Sequence, residues 1–348
     1  MRSAQQATLP PSFKSPYNPA RMQPILFHIP GLNIPIYGYG LMMVLGFLAA
    51  VQLAQFLARR SGLDPEVFMN AGLIALITGV LGARISHIFE NLGNFTDPAL
   101  GIWGNLKEMA NLRSGGLTFF GGLLIAFPLT LLYGWYKRVP LRLGMDIMGC
   151  AIMLGLAFGR IGCFLNGCCY GAECNVPWAV QYPYYSNAYI DHYADGKIKP
   201  PEALTEPLPS GRMTLIPSAE AQRDPALAPL AAQQQSLEVH PAQLYSVFNA
   251  LLLAGVLTAF FTLPHVAGRV FALMFVLKGI TRFLLEMLRI EPAVLGHGSG
   301  HLEFLPAMSY SMVVSIGLCF GGLVMWYAFG KYEQMKDEPA TRSAAASA

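Results

Sequence analysis

Apolar runs of about 20 residues recur along the chain between short polar connections, each long enough to cross the hydrocarbon core of a bilayer as a helix. Hydropathy predicts seven such spans, at 36–58, 68–88, 117–136, 143–165, 244–263, 270–288 and 305–329. The polar connections are asymmetric in charge. Arg59 and Arg60 follow the first span, Lys137, Arg138 and Arg142 separate the third from the fourth, Arg269 lies between the fifth and sixth, and Lys331 and Lys336 follow the seventh. All of these fall on one side, which the positive-inside rule makes cytoplasmic, so the N-terminus is expected outside and the C-terminus inside.

The pattern predicts an all-α polytopic membrane protein with about seven transmembrane helices and a small external head. Its parts are an outer N-terminal arm over 1–30, a membrane domain over 31–330, a head over 166–243 inserted between the fourth and fifth spans, and a cytoplasmic tail over 331–348. Segment 91–116 reads as a short external excursion. Within the head, 182–193 is rich in tyrosine, while 220–235 is biased to Ala, Pro and Gln and reads as irregular. The tail from 337 is expected to be disordered. The arm has no early apolar core and does not read as a cleaved signal peptide.

Composition points the same way: hydrophobic residues are 54% and charged residues 12%, with a mean hydropathy of +0.43, against about 25% charged residues in an ordinary soluble domain. A formal net charge of +3, with no basic stripe interleaved with aromatics, gives no footprint for nucleic acid.

Ionisable groups inside spans are costly unless paired or hydrated, so each requires a reason. Lys278, Arg282 and Glu286 are spaced i, i+4, i+8 and share one helix stripe, with Arg282 and Glu286 placed to form an ion pair. Arg160 comes late in the fourth span, Arg84 late in the second, and Tyr39 early in the first, which puts all of them near the outer leaflet. Guanidinium groups against an apolar wall suit an anionic phospholipid headgroup, since Arg offers a planar fork of donors to phosphate oxygens. The competing reading is that Arg84 and Arg160 snorkel to the interface and Arg282 pairs with Glu286 to hold helices together.

Between Gly159 and Val180 the chain reads GRIGCFLNGCCYGAECNVPWAV, which resembles the GRIG-x-F-x-NG signature of the prolipoprotein diacylglyceryl transferases, followed by YG and PW. IYGYGLM around Tyr39, GAR at Arg84, GGLTFFGGLL from Gly115, HPAQLY from His240 and RFLLEMLR from Arg282 agree in order. The resemblance implies a seven-span protein of the bacterial cytoplasmic membrane, and would make the small external head a periplasmic head. It would move the diacylglyceryl group of phosphatidylglycerol to the lipobox cysteine thiol of a preprolipoprotein, forming a thioether and releasing glycerol phosphate. Its partners would be phosphatidylglycerol, preprolipoprotein signal peptides and membrane lipid, with no cofactor and no metal.

Carried over by motif, Arg160 would grip the lipid phosphate, Arg282 would stabilise the leaving group or help activate the thiol, and Glu286 would orient Arg282. Tyr39 would supply a hydrogen bond in the same cavity, with Arg84, Asn166, His240, Gln243 and Lys278 as further substrate contacts. Gly121 and Gly122 permit close approach of a helix or a headgroup.

The chain departs from the family pattern inside these motifs. Phe120 stands where His or Tyr is usual, Cys163 and Cys168 replace Asn and Glu, and Lys278 replaces a Tyr one turn before Arg282. Phenylalanine can neither take nor donate a proton, and Lys278 is the candidate to compensate. Cys163, Cys168, Cys169 and Cys174 form a C-x4-CC-x4-C group. In an oxidising exterior that group reads as one or two disulfides; it lacks the paired C-x2-C knuckles of a strong zinc pattern, and a catalytic or redox thiol remains open. Cys150 and Cys319 read as small hydrophobes. The functional alternatives are a lipid- or lipoprotein-binding paralogue without catalysis and a transferase with another acceptor.

Overall fold

The computed structural model describes residues 25–28, 35–96, 101–111, 118–208, 211, 213–289 and 308–346. Most of the arm, the segment that holds Gly115, and the beginning of the last hydropathy span lie outside these residues. All seven apolar runs contain a helix: α1 Gly38–Arg60, α2 Pro65–Glu90, α4 Phe119–Tyr136, α5 Leu141–Asn166, α9 Ala242–Phe261, α10 Arg269–Glu286 and α11 Tyr310–Ala346. Five are long and apolar enough to cross a membrane, namely α1, α2, α5, α9 and the Tyr310–Glu333 part of α11. The apolar part of α4, Phe120–Tyr136, is shorter. In α10, Arg269, Lys278, Arg282 and Glu286 interrupt an otherwise apolar helix.

Local sequence fixes several helix ends. Asp64 caps α2 by accepting a hydrogen bond from the Glu66 amide at 2.9 Å, and Pro65 occupies the first turn, where a missing N–H costs nothing. α11 continues to Ala346 through the tail that composition assigns to disorder, in keeping with its alanines. Among the described residues, the all-α expectation is modified by two short antiparallel pairs, β1 Ile25–His28 with β2 Pro35–Tyr37, and β3 Thr205–Pro207 with β4 Met213–Leu215.

The chain divides into two compact units. One comprises Met1–Leu45, Leu156–Ala250 and Ile280–Ile316, the other Gly46–Gly155, Leu251–Gly279 and Gly317–Ala348. In the second unit, α2 and α4 cross at glycines. A Cβ on Gly121 would lie 2.8 Å from the Gly82 carbonyl oxygen, and one on Gly122 would lie 2.8 Å from that of Gly79. Only the absence of side chains lets these backbones approach so closely. The same unit buries Asp146, whose carboxylate accepts from the amides of Gly268 at 2.7 Å and Phe271 at 2.8 Å and so caps the start of α10.

The first unit contains the inserted segment. Besides α6 Asn187–Ala194 and the β3–β4 pair, it holds α7 Ser218–Ala221 and α8 Leu227–Gln233. These two short helices replace the irregular stretch expected at 220–235. The reason is burial: Ala221 and Ala231 join Tyr184, Tyr189, Leu204 and Leu215 in one core, with Leu227 and Leu230 packed against it. The tyrosine-rich stretch thus forms the centre of the insert. The Tyr184 hydroxyl reaches the carbonyls of Leu204 and Ile216 at 3.0 and 2.9 Å.

Candidate functional site

The charged stripe of α10 ends in a buried carboxylate. Glu286 is 1% exposed, and its Oε2 lies 2.9 Å from Nη2 of Arg282 and 3.9 Å from Nη1 of Arg289. Ser309 Oγ donates to Glu286 Oε1 at 3.1 Å, and Arg282 Nη2 donates to Ser311 Oγ at 2.9 Å. One negative charge thus orients two guanidiniums that both keep some exposure.

Arg160 lies half-buried on α5 in the same unit and makes no hydrogen bond or ion pair among the described residues. Two residues later, Gly162 faces Tyr39: a Cβ there would meet the Tyr39 ring at 3.1 Å and its Cα at 3.4 Å, so α1 and α5 approach closely at this point. Tyr39 is 43% exposed.

Past Asn166 the chain turns sharply through Gly167 at φ 68° and Cys169 at φ 61°. The Cys168 amide donates to the Cys163 carbonyl at 3.1 Å, and the Sγ atoms of Cys163, Cys168 and Cys169 all lie within 4.8 Å of one another. All six cysteines are free thiols, and Cys174 stands outside the cluster. The Cys163 and Cys168 thiols hydrogen-bond to Cys169 and, with the positive charges of Arg160 and Arg289, hold its thiol far below the usual range; Cys168 is pushed up. Cys169 and Arg289 also line a cavity of about 250 Å³ with Tyr170, Glu173, Asp191 and Lys197.

Two residues of HPAQLY hold this turn. Gln243, fully buried, donates through Nε2 to the Cys168 carbonyl at 2.8 Å and to the Tyr182 hydroxyl oxygen at 2.9 Å. His240 Nδ1 lies 3.2 Å from the Tyr245 hydroxyl, which accepts from Trp178 Nε1 at 2.6 Å. The backbone adds a second tie. Gly171 N donates to the His240 carbonyl at 2.9 Å, and Ala172 N to the Leu288 carbonyl at 2.8 Å, which joins the cysteine turn to the end of α10. A Cβ on Gly171 would sit 2.9 Å from that Leu288 oxygen, so only glycine fits.

The remaining candidates belong to the other unit. Arg84, 5% exposed, donates from Nε to the Met109 carbonyl at 2.9 Å and from Nη2 to the Glu108 carbonyl at 2.7 Å. It thereby caps the C-terminal end of α3, Gly101–Ala110, and its guanidinium lies 5.2 Å above the Phe95 ring. Gly121 and Gly122 serve the helix crossing already described. Phe120 is 57% exposed and Lys278 is half-buried. Sequence reasoning missed Arg289, although it ends the RFLLEMLR motif and stands i+3 from Glu286, a spacing that signals a pair. Ser309 and Ser311 carried no sequence signal.

Fold and site together define a class: a mostly helical polytopic membrane protein with a buried arginine–glutamate network beside a thiol-bearing turn. A family model for prolipoprotein diacylglyceryl transferase matches residues 24–328, and the chain belongs to that family. It is 28% identical to the phosphatidylglycerol–prolipoprotein diacylglyceryl transferase of Clostridium tetani over 272 residues, which covers 78% of this chain and 87% of that protein. It is 26% identical to the protein of the same name from Corynebacterium glutamicum strain ATCC 13032 over 309 residues, covering 88% and 83% of the two. A relative of the same name from Rhodopirellula baltica is 35% identical over 170 residues, 48% of this chain and 34% of that protein, so the match spans about a third of that relative's length.

Proposed function

We propose that this chain transfers the diacylglyceryl group of phosphatidylglycerol to the lipobox cysteine of prolipoproteins in the bacterial cytoplasmic membrane. The acceptor sulfur attacks the terminal glyceryl carbon, the carbon–oxygen bond to phosphate breaks, and the electron pair leaves on glycerol phosphate. Two charges need management: the acceptor must lose its proton, and the departing phosphate must be stabilised. Arg160 makes no salt bridge to a carboxylate among the described residues and is assigned to the lipid phosphate. Arg282, oriented by Glu286, stabilises the leaving group, and Arg289 adds positive charge at the same end of α10.

The carrying observation is the buried Glu286 clamped between Arg282 and Arg289, in the unit that also holds Arg160 and Tyr39. The same reading sets α1, α2, α4, α5, α9, α10 and α11 as seven spans, with the N-terminus and the insert outside and the C-terminus in the cytoplasm. That orientation follows the placement of the arginines and lysines.

A non-catalytic binding role has one observation in its favour, the exposed phenyl ring of Phe120 where the family carries a proton-handling side chain. The test is complementation of cells depleted of their own transferase, read by the mass shift of a reporter lipoprotein. Rescue by the wild-type chain, lost in Arg160→Ala and Arg282→Ala, supports transfer. Failure of the expressed, membrane-inserted wild type to rescue, with phosphatidylglycerol binding retained, favours the binding role.

A further inference from the structure

We propose that Cys163, Cys168 and Cys169 form a three-thiolate site for zinc whose fourth coordination position takes the acceptor thiol of the prolipoprotein. The proposal rests on the transferase reading above and deepens it, by naming what activates the thiol in a chain with Phe120 at the family's proton-handling position.

The geometry comes first. With zinc–sulfur bonds of about 2.3 Å, tetrahedral ligand sulfurs stand about 3.8 Å apart, and the three Sγ atoms here already lie within 4.8 Å of one another. The backbone aims them. Cys163 sits near the end of α5, and the left-handed residues Gly167 and Cys169 fold the chain back over that end. A non-glycine residue at φ 61° costs on the order of 1 kcal/mol, and the turn keeps it because it is pinned on both sides. Cys168 N bonds to the Cys163 carbonyl, and buried Gln243 holds the Cys168 carbonyl. The sulfurs are therefore brought together before any ion arrives. The C-x4-CC spacing hides this convergence, because it arises from a helix end and a left-handed turn and not from a knuckle.

Charge and coordination agree. Three thiolates and a divalent ion leave one net negative charge, and Arg289, which lines the same cavity as Cys169, is placed to offset it. Cys174 is not in the cluster, so three protein ligands leave the fourth position open, the arrangement of catalytic zinc. All three cysteines are only half-buried, which leaves an approach for an outside ligand.

The chemistry fits the reaction. A thiol entering the fourth position loses its proton to water and remains a nucleophilic thiolate. Its sulfur then attacks the glyceryl carbon, the carbon–oxygen bond to phosphate breaks, and the metal does not change oxidation state. A covalent role for the cluster fails on chemistry: a diacylglyceryl group caught by Cys169 would be a stable thioether with no route onward. A disulfide is the other use of two of these sulfurs, and it would exclude the ion.

The full-length chain, purified in detergent under reducing conditions, tests this without reference to turnover. Zinc content is measured by elemental analysis, and cobalt(II) titration follows the thiolate-to-metal charge-transfer band. One ion per chain is expected, bound more than about tenfold more weakly in Cys163→Ser, Cys168→Ser and Cys169→Ser and unaltered in Cys174→Ser. A peptide with a free lipobox cysteine should shift the cobalt spectrum, and its serine counterpart should not. Absence of stoichiometric uptake by the reduced chain, uptake indifferent to the three substitutions, or a spectrum unmoved by the cysteine peptide would overturn the site. Complementation by a wild type that takes up no ion overturns the site alone. Uptake and a spectral shift without complementation overturn the transferase reading and leave the thiol-binding metal site standing.

Discussion

Replacing Glu286 by Gln keeps the shape of the side chain and removes the one charge that faces Arg282 at 2.9 Å and Arg289 at 3.9 Å. Ser309 can still donate to the remaining carbonyl oxygen, so the packing of a residue that is 1% exposed should survive. Removing one member of a buried ion pair costs about 3–5 kcal/mol. Here Arg282 and Arg289 retain 21% and 19% side-chain exposure and water takes up part of the lost interaction, so about 2–3 kcal/mol is the working figure. If that energy serves to hold Arg282 for the leaving phosphate, transfer should slow by about 30- to 150-fold at about 1.4 kcal/mol per factor of ten. Purified protein, phosphatidylglycerol vesicles and a lipobox peptide provide the assay, with a thermal melt to check the fold. Glu286→Asp, which keeps the charge one methylene short of its partners, should fall between wild type and Gln. A Gln variant that folds and transfers within about threefold of wild type would show that the clamp does not position Arg282.

Three further outcomes follow from the same structure. Gly121→Leu drives a side chain into the Gly82 carbonyl and should destabilise the α2–α4 crossing by about 1–3 kcal/mol; an unchanged melting temperature in detergent would contradict the close approach. Asp146→Ala strands the amides of Gly268 and Phe271 at the start of α10 and should cost about 2–4 kcal/mol, with Asp146→Asn costing less; equal melting temperatures for wild type and Ala would refute the cap. His192, 3% exposed, accepts the Leu237 amide on Nδ1, and burial holds its pKa below 6.5. A depressed histidine pKa means that the unfolded chain binds the extra proton first, so stability is complete above 6.5 and is lost as pH falls from there toward the folded value. Exchange of the Leu237 amide, corrected for intrinsic rate, should be flat above about pH 6.5 and quicken as pH falls below it, and a profile flat throughout would contradict the assignment.

The helices were legible because hydropathy and helix length are coupled by the thickness of the bilayer. The stripe of α10 was legible because i, i+4 spacing brings Arg282 and Glu286 together without tertiary information. Arg84 shows the limit. A basic residue late in an apolar helix has the same signature whether it meets a headgroup or, as here, the carbonyls that end α3, and only the fold tells which. Gly121 and Gly122 divide in the same way between headgroup approach and helix crossing, and the Gly79 and Gly82 carbonyls decide for crossing. The insert was misread at 220–235 because short alanine-rich helices owe their existence to the tyrosine core they cover and not to their own propensity. Asp146 was invisible, since a carboxylate in an apolar helix announces a need for partners but not that two amides more than a hundred residues away supply them.

The account turns on Arg160 and Arg282 serving one lipid phosphate. The most direct measurement follows both products of the purified chain at once, counting glycerol phosphate released against thioether formed on a lipobox peptide. The account predicts equal amounts of the two, with both rates falling by about 100-fold or more in Arg160→Ala and in Arg282→Ala. Thioether formed without glycerol phosphate, or rates that either substitution leaves intact, would contradict it.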